Sequence, residues 1–334
     1  MRLFRPAFMA AAGLALAAPA ASAASPAAEG FEVGSAQALA TRAALLKPGE
    51  WVWAPRVAPR GPVLVYVDLG RQLASVYRNG VRMGVSTISS GKPGYETPNG
   101  VFTILEKDKD HRSRTYDNAP MPYQQRLTWK GVALHAGNLP GYPASHGCVR
   151  LPMDFAKLLF ATTSMGGTVV IAGRHGEPYK RPSAGVLAPA REGGFGAVEL
   201  PLGDRQAFSW QPQLSPSGPV SIIVSTGDQA VVVLRNGVEI GRARAVIQEG
   251  VSEAQVLTLA RPKSGRSEWI QVGVNDVAPE DSAIISTRGV ERMQLPAEFV
   301  GHMRGAMVPG TTVLITSASV TGATTGVQTT VLAT

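Results

Sequence analysis

The sequence predicts a mostly β protein with short helices, built from two copies of one pattern. Three observations carry that prediction. The run "PVLVYVDLGRQLASVYRNGVRMGVSTIS" after Gly61 is rich in Val and Tyr and is punctuated at Leu69-Gly70 and Asn79-Gly80. Asn-Gly between apolar runs is the strongest short hairpin signal. Residues 61–84 also align without gaps on "GPVSIIVSTGDQAVVVLRNGVEIG" (218–241), at an offset of 157. Finally, "LPMDFAKLLFATTSMGGTVVI" (151–171) aligns on "LPAEFVGHMRGAMVPGTTVLI" (295–315), at an offset of 144. Two matches in the same order imply an internal duplication. The second copy is 13 residues shorter between the two blocks, the difference of the offsets.

Residues 1–23 read as a secretory leader. They carry Arg2 and Arg5, an apolar run from Ala7 to Ala18, and the small-residue site Ala21-Ser22-Ala23. The apolar run is shorter than the ~20 residues that span a bilayer. No other stretch is long and apolar enough, so no transmembrane segment is expected. Residues 24–60 read as an Ala-rich, then Pro-rich N-terminal extension, with one short helix between an N-cap at Ser35 and a stop at Pro48-Gly49. Residues 61–173 form the first unit, with further strands at "GVFTIL", "LTWKGVALHA" and "GTVVIAG". Its helix, Met153 to Thr163, sets Phe155, Leu158, Leu159 and Thr162 at helical spacing. Residues 174–215, rich in Pro, Gly, Ala and charge, read as a linker, 216–316 as the second copy and 317–334 as a Thr-rich tail.

The formal charge of +8 falls to +6 once Arg2 and Arg5 leave with the leader. That excess suits an anionic surface such as cell wall. No Lys/Arg cluster and no aromatic-basic interleaving stands out, so nucleic acid is not an expected partner.

The chemistry concentrates in "PASHGCVRLP" (143–152), which holds the only cysteine, Cys148. A lone cysteine in an exported chain cannot close an internal disulfide; it reads as a free reactive thiol or as a buried core residue. A thiol with a pKa near 8.5 needs a neighbouring base and oxyanion donors to act as a nucleophile at neutral pH. His135 and His146 lie within 13 residues of it. His146, two residues before the thiol, would share its face on a strand, whereas His135 ends the apolar run "GVAL" as a strand-end residue would. From these residues alone, either can be the base. Ser145, Gly147 and Cys148 offer backbone N–H groups for an oxyanion. The spacing of His135, His146 and Cys148 matches no zinc pattern, so no metal and no cofactor is expected. In the second copy Arg292 stands opposite Cys148 and Val290 opposite His146, so that copy is expected to lack the site.

The segment from His135 through "SHGCVRL" resembles the signature of the L,D-transpeptidases, whose catalytic domain is called YkuD-type. The resemblance covers roughly Gly61 to Gly173, including "TPNGVF" and "PMPY". It implies a compact β-sandwich or barrel and a cysteine acyl-enzyme, with Cys148 as nucleophile and His135 as proton donor and acceptor. Ser145, His146 and Gly147 would shape the pocket and oxyanion site. Arg150 follows the Cys-Val-Arg variant of the motif, and is expected either to hold a substrate carboxylate or to brace the loop. The gap from His135 to Ser145 is short for the family. The implied substrates are peptidoglycan stem peptides, joined through their diamino acid residues in the periplasm or cell wall. The acceptor would be a second stem, a wall-anchored protein's amine or, in an L,D-carboxypeptidase, water. The competing expectation is a non-catalytic wall-binding protein, a role that suits the second copy best.

Overall fold

The computed structural model describes residues 29–173, 175, 202–203, 205–247, 255–261, 266–272 and 293–316. The leader, most of the linker, the tail and the stretch of the second copy opposite the site (279–292) lie outside the described residues.

The first unit opens with β1 (Gly30–Glu32), α1 (Ala36–Ala43) and β2 (Trp51–Trp53). Ser35 caps α1, its Oγ accepting the Ala38 amide at 3.2 Å. There follow β3 (Val63–Asp68), β4 (Leu73–Arg78), β5 (Val81–Thr87) and β6 (Gly100–Thr103). Then come β7 (Glu106–Asp108), β8 (Gln124–Arg126), β9 (Ala133–Ala136) and β10 (Val149–Leu151). The unit closes with α2 (Met153–Thr162) and β11 (Thr168–Ala172). Seven strands form one sheet in the order β1-β2-β5-β4-β3-β11-β6, and four form a smaller one, β10-β9-β8-β7. The large sheet therefore takes in β1 and β2, from the stretch read as an extension. Their side chains explain why: Trp53 packs edge-on against Phe155 of α2 at 5.6 Å, and Val52 lies under Leu39 and Ala43 of α1.

Turn chemistry sets the strand ends. Asn79 and Gly80 take positive φ (49° and 79°), as a two-residue hairpin turn between β4 and β5 requires. "LTWKGVALHA", read as one strand, breaks instead at Thr128–Gly131, where the Gly131 amide bonds Thr128 O at 3.1 Å. Gly131 sits at φ +101°, which only glycine adopts readily.

The second unit contains β12 (Phe208–Trp210), β13 (Val220–Ser225), β14 (Ala230–Arg235), β15 (Val238–Arg244) and β16 (Val246–Ile247). It continues with β17 (Gln255–Ala260), β18 (Glu268–Val272), β19 (Met293–Gln294), α3 (Ala297–Ala306) and β20 (Thr312–Thr316). Its sheet order, β12-β15-β14-β13-β20-β17-β18, repeats β2-β5-β4-β3-β11-β6 strand for strand and adds β18. A β-bulge recurs at matching places, Val76/Tyr77 and Val233/Leu234. The correspondence begins earlier than Gly218: "WVWAPRVAPRGP" and "FSWQPQLSPSGP" keep the same offset and both contain a 3₁₀ turn, Pro55–Val57 and Pro212–Leu214.

Strand β3 explains the apolar run "VLVYV". Val65 and Val67 enter a core shared with α2, β9 and β10, while Leu64 and Tyr66 enter a second core on the opposite face. A strand covered on both faces loses the polar/apolar alternation of a half-exposed one. The inner core positions the site, because Leu134, Val149 and Leu151 anchor β9 and β10 in it.

Candidate active site

β9 and β10 run parallel, with Leu134 opposite Val149 and His135 opposite Arg150. Leu134 and Val149 point into the core, so His135 and Arg150 project the other way, as does Cys148, two residues before Arg150. They face a cavity of about 410 Å³, also lined by Tyr116, Met121, His146 and Met153.

The loop carrying the thiol is clamped by the segment after β5. Ser89 and Arg150 exchange backbone bonds of 3.1 and 3.0 Å, the Lys92 amide bonds Ser145 O at 2.9 Å, and the Ser145 amide bonds Ser90 O at 3.0 Å. Gln72 braces that segment in turn, accepting the Ser90 amide at 3.0 Å and donating to Ser90 Oγ at 2.8 Å. Gly91 is required there: a Cβ would lie 1.9 Å from Tyr95 O. Within the loop, Ser145 Oγ donates to Cys148 O and accepts the Gly147 amide at 3.2 Å. Gly147 turns the chain at φ +105°.

Ser145 and Gly147 thus shape the loop, and in this state their amides already bond Ser90 O and Ser145 Oγ. The sequence had offered both amides to an oxyanion. A hydroxyl it did not single out has no such bond: Tyr116 Oη is buried, has no hydrogen-bond partner among the described residues, and belongs to a residue lining the cavity. Tyr116 stacks on the His146 ring (4.6 Å, 22°), and Tyr95 meets the other side of that imidazole edge-on (4.6 Å, 88°). Neither tyrosine carries a motif signal, because a hairpin brings Tyr116 in from the chain between β7 and β8, turning at Asp117 and Asn118 (φ 41° and 54°).

The two histidines sit in different surroundings. His135 Nδ1 lies 2.7 Å from Ala136 O. A carbonyl can only accept, so Nδ1 carries the proton in the neutral ring and Nε2 is left free to take one. Burial, the dominant cause, pushes His135 down to about 4, with Arg150 and His111 adding to it against the Ala136 bond. His146 is also held below its usual value, by burial first and then by Lys92 and Arg150. The half-buried Cys148 thiol donates to Gly131 O at 3.3 Å. Burial pushes it up to about 11, opposed by the Ala133 backbone bond, Arg150 and Arg126. At neutral pH the thiol and the imidazole therefore both rest uncharged.

Among the described residues, no carboxylate lines the cavity or pairs with Arg150. The Arg150 stem crosses Gly137, where a Cβ would come within 3.0 Å of its Cγ and Cδ. The cavity is therefore cationic and suits an anionic ligand. Among the described residues no three His, Cys, Asp or Glu side chains are grouped to hold a metal, and no helix is long and apolar enough to cross a membrane.

Residues 62–171 match the family described as the L,D-transpeptidase catalytic domain, YkuD. The chain carries a YkuD catalytic domain. That match takes in β3 to β11 and every cavity residue named above. Among solved structures, the chain is similar to an L,D-transpeptidase from Stackebrandtia nassauensis (29% identity over 36% of this chain and 59% of that one, TM-score 0.33). It is similar to one from Mycobacterium smegmatis (27%, over 33% and 58%, TM-score 0.31). A third is L,D-transpeptidase 1 from Mycobacterium tuberculosis (26%, over 34% and 62%, TM-score 0.30). In each case the match spans less than two thirds of the other chain. No curated protein matches the chain. The matched stretch, 62–171, is mostly β, as its strands β3 to β10 show.

Proposed function

We propose that the protein is an exported cysteine L,D-transpeptidase of the periplasm or cell wall, working through a Cys148 thioester. The observation that carries this is the meeting of Cys148 with His135 and Arg150, which pair across two parallel strands, at a cationic cavity within the stretch that matches the YkuD domain. The donor is a peptidoglycan tetrapeptide stem. Cys148 Sγ attacks the carbonyl of the diamino acid's L-centre as its proton passes to His135 Nε2. The tetrahedral adduct collapses: the C–N bond breaks, His135 returns the proton to the departing D-alanine amine, and the thioester remains. An acceptor amine then attacks the thioester and gives a proton to His135; the C–S bond breaks, a new amide forms, and His135 returns the proton to Cys148 Sγ.

Arg150 holds the donor's carboxylate, since it is the cation of the cavity and, among the described residues, no carboxylate competes for it. The Tyr116 hydroxyl hydrogen-bonds the bound peptide at the reacting end, which satisfies a group otherwise buried without a partner. His146, held between two tyrosine rings, is a wall of the pocket rather than the base. The acceptor is the amine of a second stem. A wall-anchored protein's amine would make the enzyme an anchoring one, and water would make it a carboxypeptidase.

The test is muropeptide analysis by mass spectrometry after adding purified protein to cell-wall sacculi. Cross-links between diamino acid residues are expected with the native protein and are expected to vanish with Cys148→Ala and His135→Gln. Shortened stems without cross-links would show water as the acceptor. Unchanged profiles with Cys148→Ala would overturn the proposal.

A further inference from the structure

We propose that the second copy is a built-in dimer partner: a sheet of the same fold that permanently covers the outer face of the catalytic sheet, on the side away from the pocket. The inference goes beyond the catalytic assignment and does not depend on it.

The interface is apolar and uses matching positions from both units. Tyr66 and its counterpart Ile223, Tyr77 and Leu234, and Val170 and Leu314 all lie in one buried cluster between the two large sheets. The first and second pairs keep the 157-residue offset and the third keeps the 144-residue offset. The same three positions of the fold thus face each other from both sides.

The edges of the interface show the same reciprocity. A Cβ at Gly310 would lie 2.6 Å from Pro62 Cβ, and one at Gly166 would lie 3.5 Å from Pro219 Cδ. Pro62 corresponds to Pro219 and Gly166 to Gly310, so one contact is the exchange of the other. The hairpin tips also reach across in both directions, onto different partners. Asn79 holds the Arg261 backbone with two bonds, Nδ2 to O at 2.8 Å and Oδ1 from N at 2.9 Å. Its counterpart Asn236 reaches the opposite way, with Oδ1 3.2 Å from the Cβ position of Gly166. Residue i touching j while j′ touches i′ defines an isologous two-fold interface, the geometry of a homodimer. Here both partners lie on one chain.

The interface lies on the opposite face of the catalytic sheet from the core that carries the site. On β3 and β11 the side chains that meet the second unit, Tyr66 and Val170, alternate with Val65 and Val169, which face the core under β9 and β10. The cavity opens beyond that core, and its lining among the described residues comes from the first unit. The second unit's sheet thus lies across the catalytic sheet from that lining. It closes a face that a single-copy catalytic sheet would leave apolar and exposed, a surface fitted to another sheet of its own kind.

A nicked full-length chain tests this. A protease recognition sequence is inserted between residues 176 and 200 of the mature protein, the purified protein is cleaved after folding, and the product is run on size exclusion with light scattering. The uncut chain should be monomeric, and the two halves should elute together as one species of unchanged mass. Halves that separate would overturn the proposal. In the cut protein, Asn79→Ala should weaken association at least several-fold, and Ile223→Arg should separate the halves while leaving the rate of Cys148 alkylation unchanged. Should Ile223→Arg fail to fold, Asn79→Ala, at a polar hairpin tip, carries the test alone. Association indifferent to Asn79→Ala, or faster Cys148 alkylation once the halves part, would count against it, the latter by showing that the second unit covers the thiol.

Discussion

Replacing Arg150 with methionine should make Cys148 harder to ionise. Arg150 follows the thiol by two residues and lines the same cavity; two residues of extended chain span about 6.6 Å, the scale of the separation between charge and thiolate. At an effective dielectric of about 20, a unit charge at that distance stabilises a thiolate by about 2.5 kcal/mol, or nearly two pKa units. Solvent on the open side of the half-buried guanidinium screens part of this and leaves about one unit. The thiol, already pushed up to about 11, should therefore move to about 12. Because Cys148 is the only cysteine, iodoacetamide reports on it without background. Between pH 8 and 9 the variant should be alkylated about tenfold more slowly than the native protein, with circular dichroism unchanged. An alkylation midpoint near 8.5 in the native protein, or equal or faster alkylation of Arg150→Met, would refute the reasoning.

Tyr116→Phe should leave stability unchanged or raise it by about 1 kcal/mol, because the hydroxyl it removes has no partner; turnover of a tetrapeptide stem should fall about tenfold. A clear loss of stability would mean that the hydroxyl serves the fold. His135 sets an acid limit. Its folded pKa, about 4, lies below the unfolded value near 6.5, so its stabilisation is complete above 6.5 and is lost as pH falls towards 4. The loss is about 3 kcal/mol, and denaturant melts across that range should show it in the native protein but not in His135→Gln. Gly91→Ala sets a Cβ 1.9 Å from one backbone atom and 2.7 Å from another. It should cost about 1–3 kcal/mol and lower the melting temperature, and an unshifted melt would show that the clamp on the Ser145 loop is slack.

Local signals were legible where the chemistry is local. Ser35 caps α1 as its residue type requires, α2 spans the residues whose spacing announced it, and Asn79-Gly80 turns because both residues tolerate positive φ. Reading "LTWKGVALHA" as one strand failed because apolar content conceals a four-residue turn that depends on one glycine's backbone. The boundary at Gly61 was set by composition, whereas β1 and β2 join the sheet through Trp53 and Val52, whose partners lie far along the chain.

The same division holds at the site. The sequence by itself singled out the lone thiol, the two histidines near it and the repeated pattern, since each follows from residue type, count and order. Only the tertiary structure distinguishes the histidines, by turning His135 Nδ1 onto a carbonyl and packing His146 against two tyrosines. It also tied the Ser145 and Gly147 amides into the loop and brought in Tyr116 from a hairpin with no motif of its own. And it set the second copy against the outer sheet face. The physical reason is common to all of these: a hydrogen bond, a stacked ring and a buried face depend on which distant groups meet, and local sequence encodes only how each short stretch will bend.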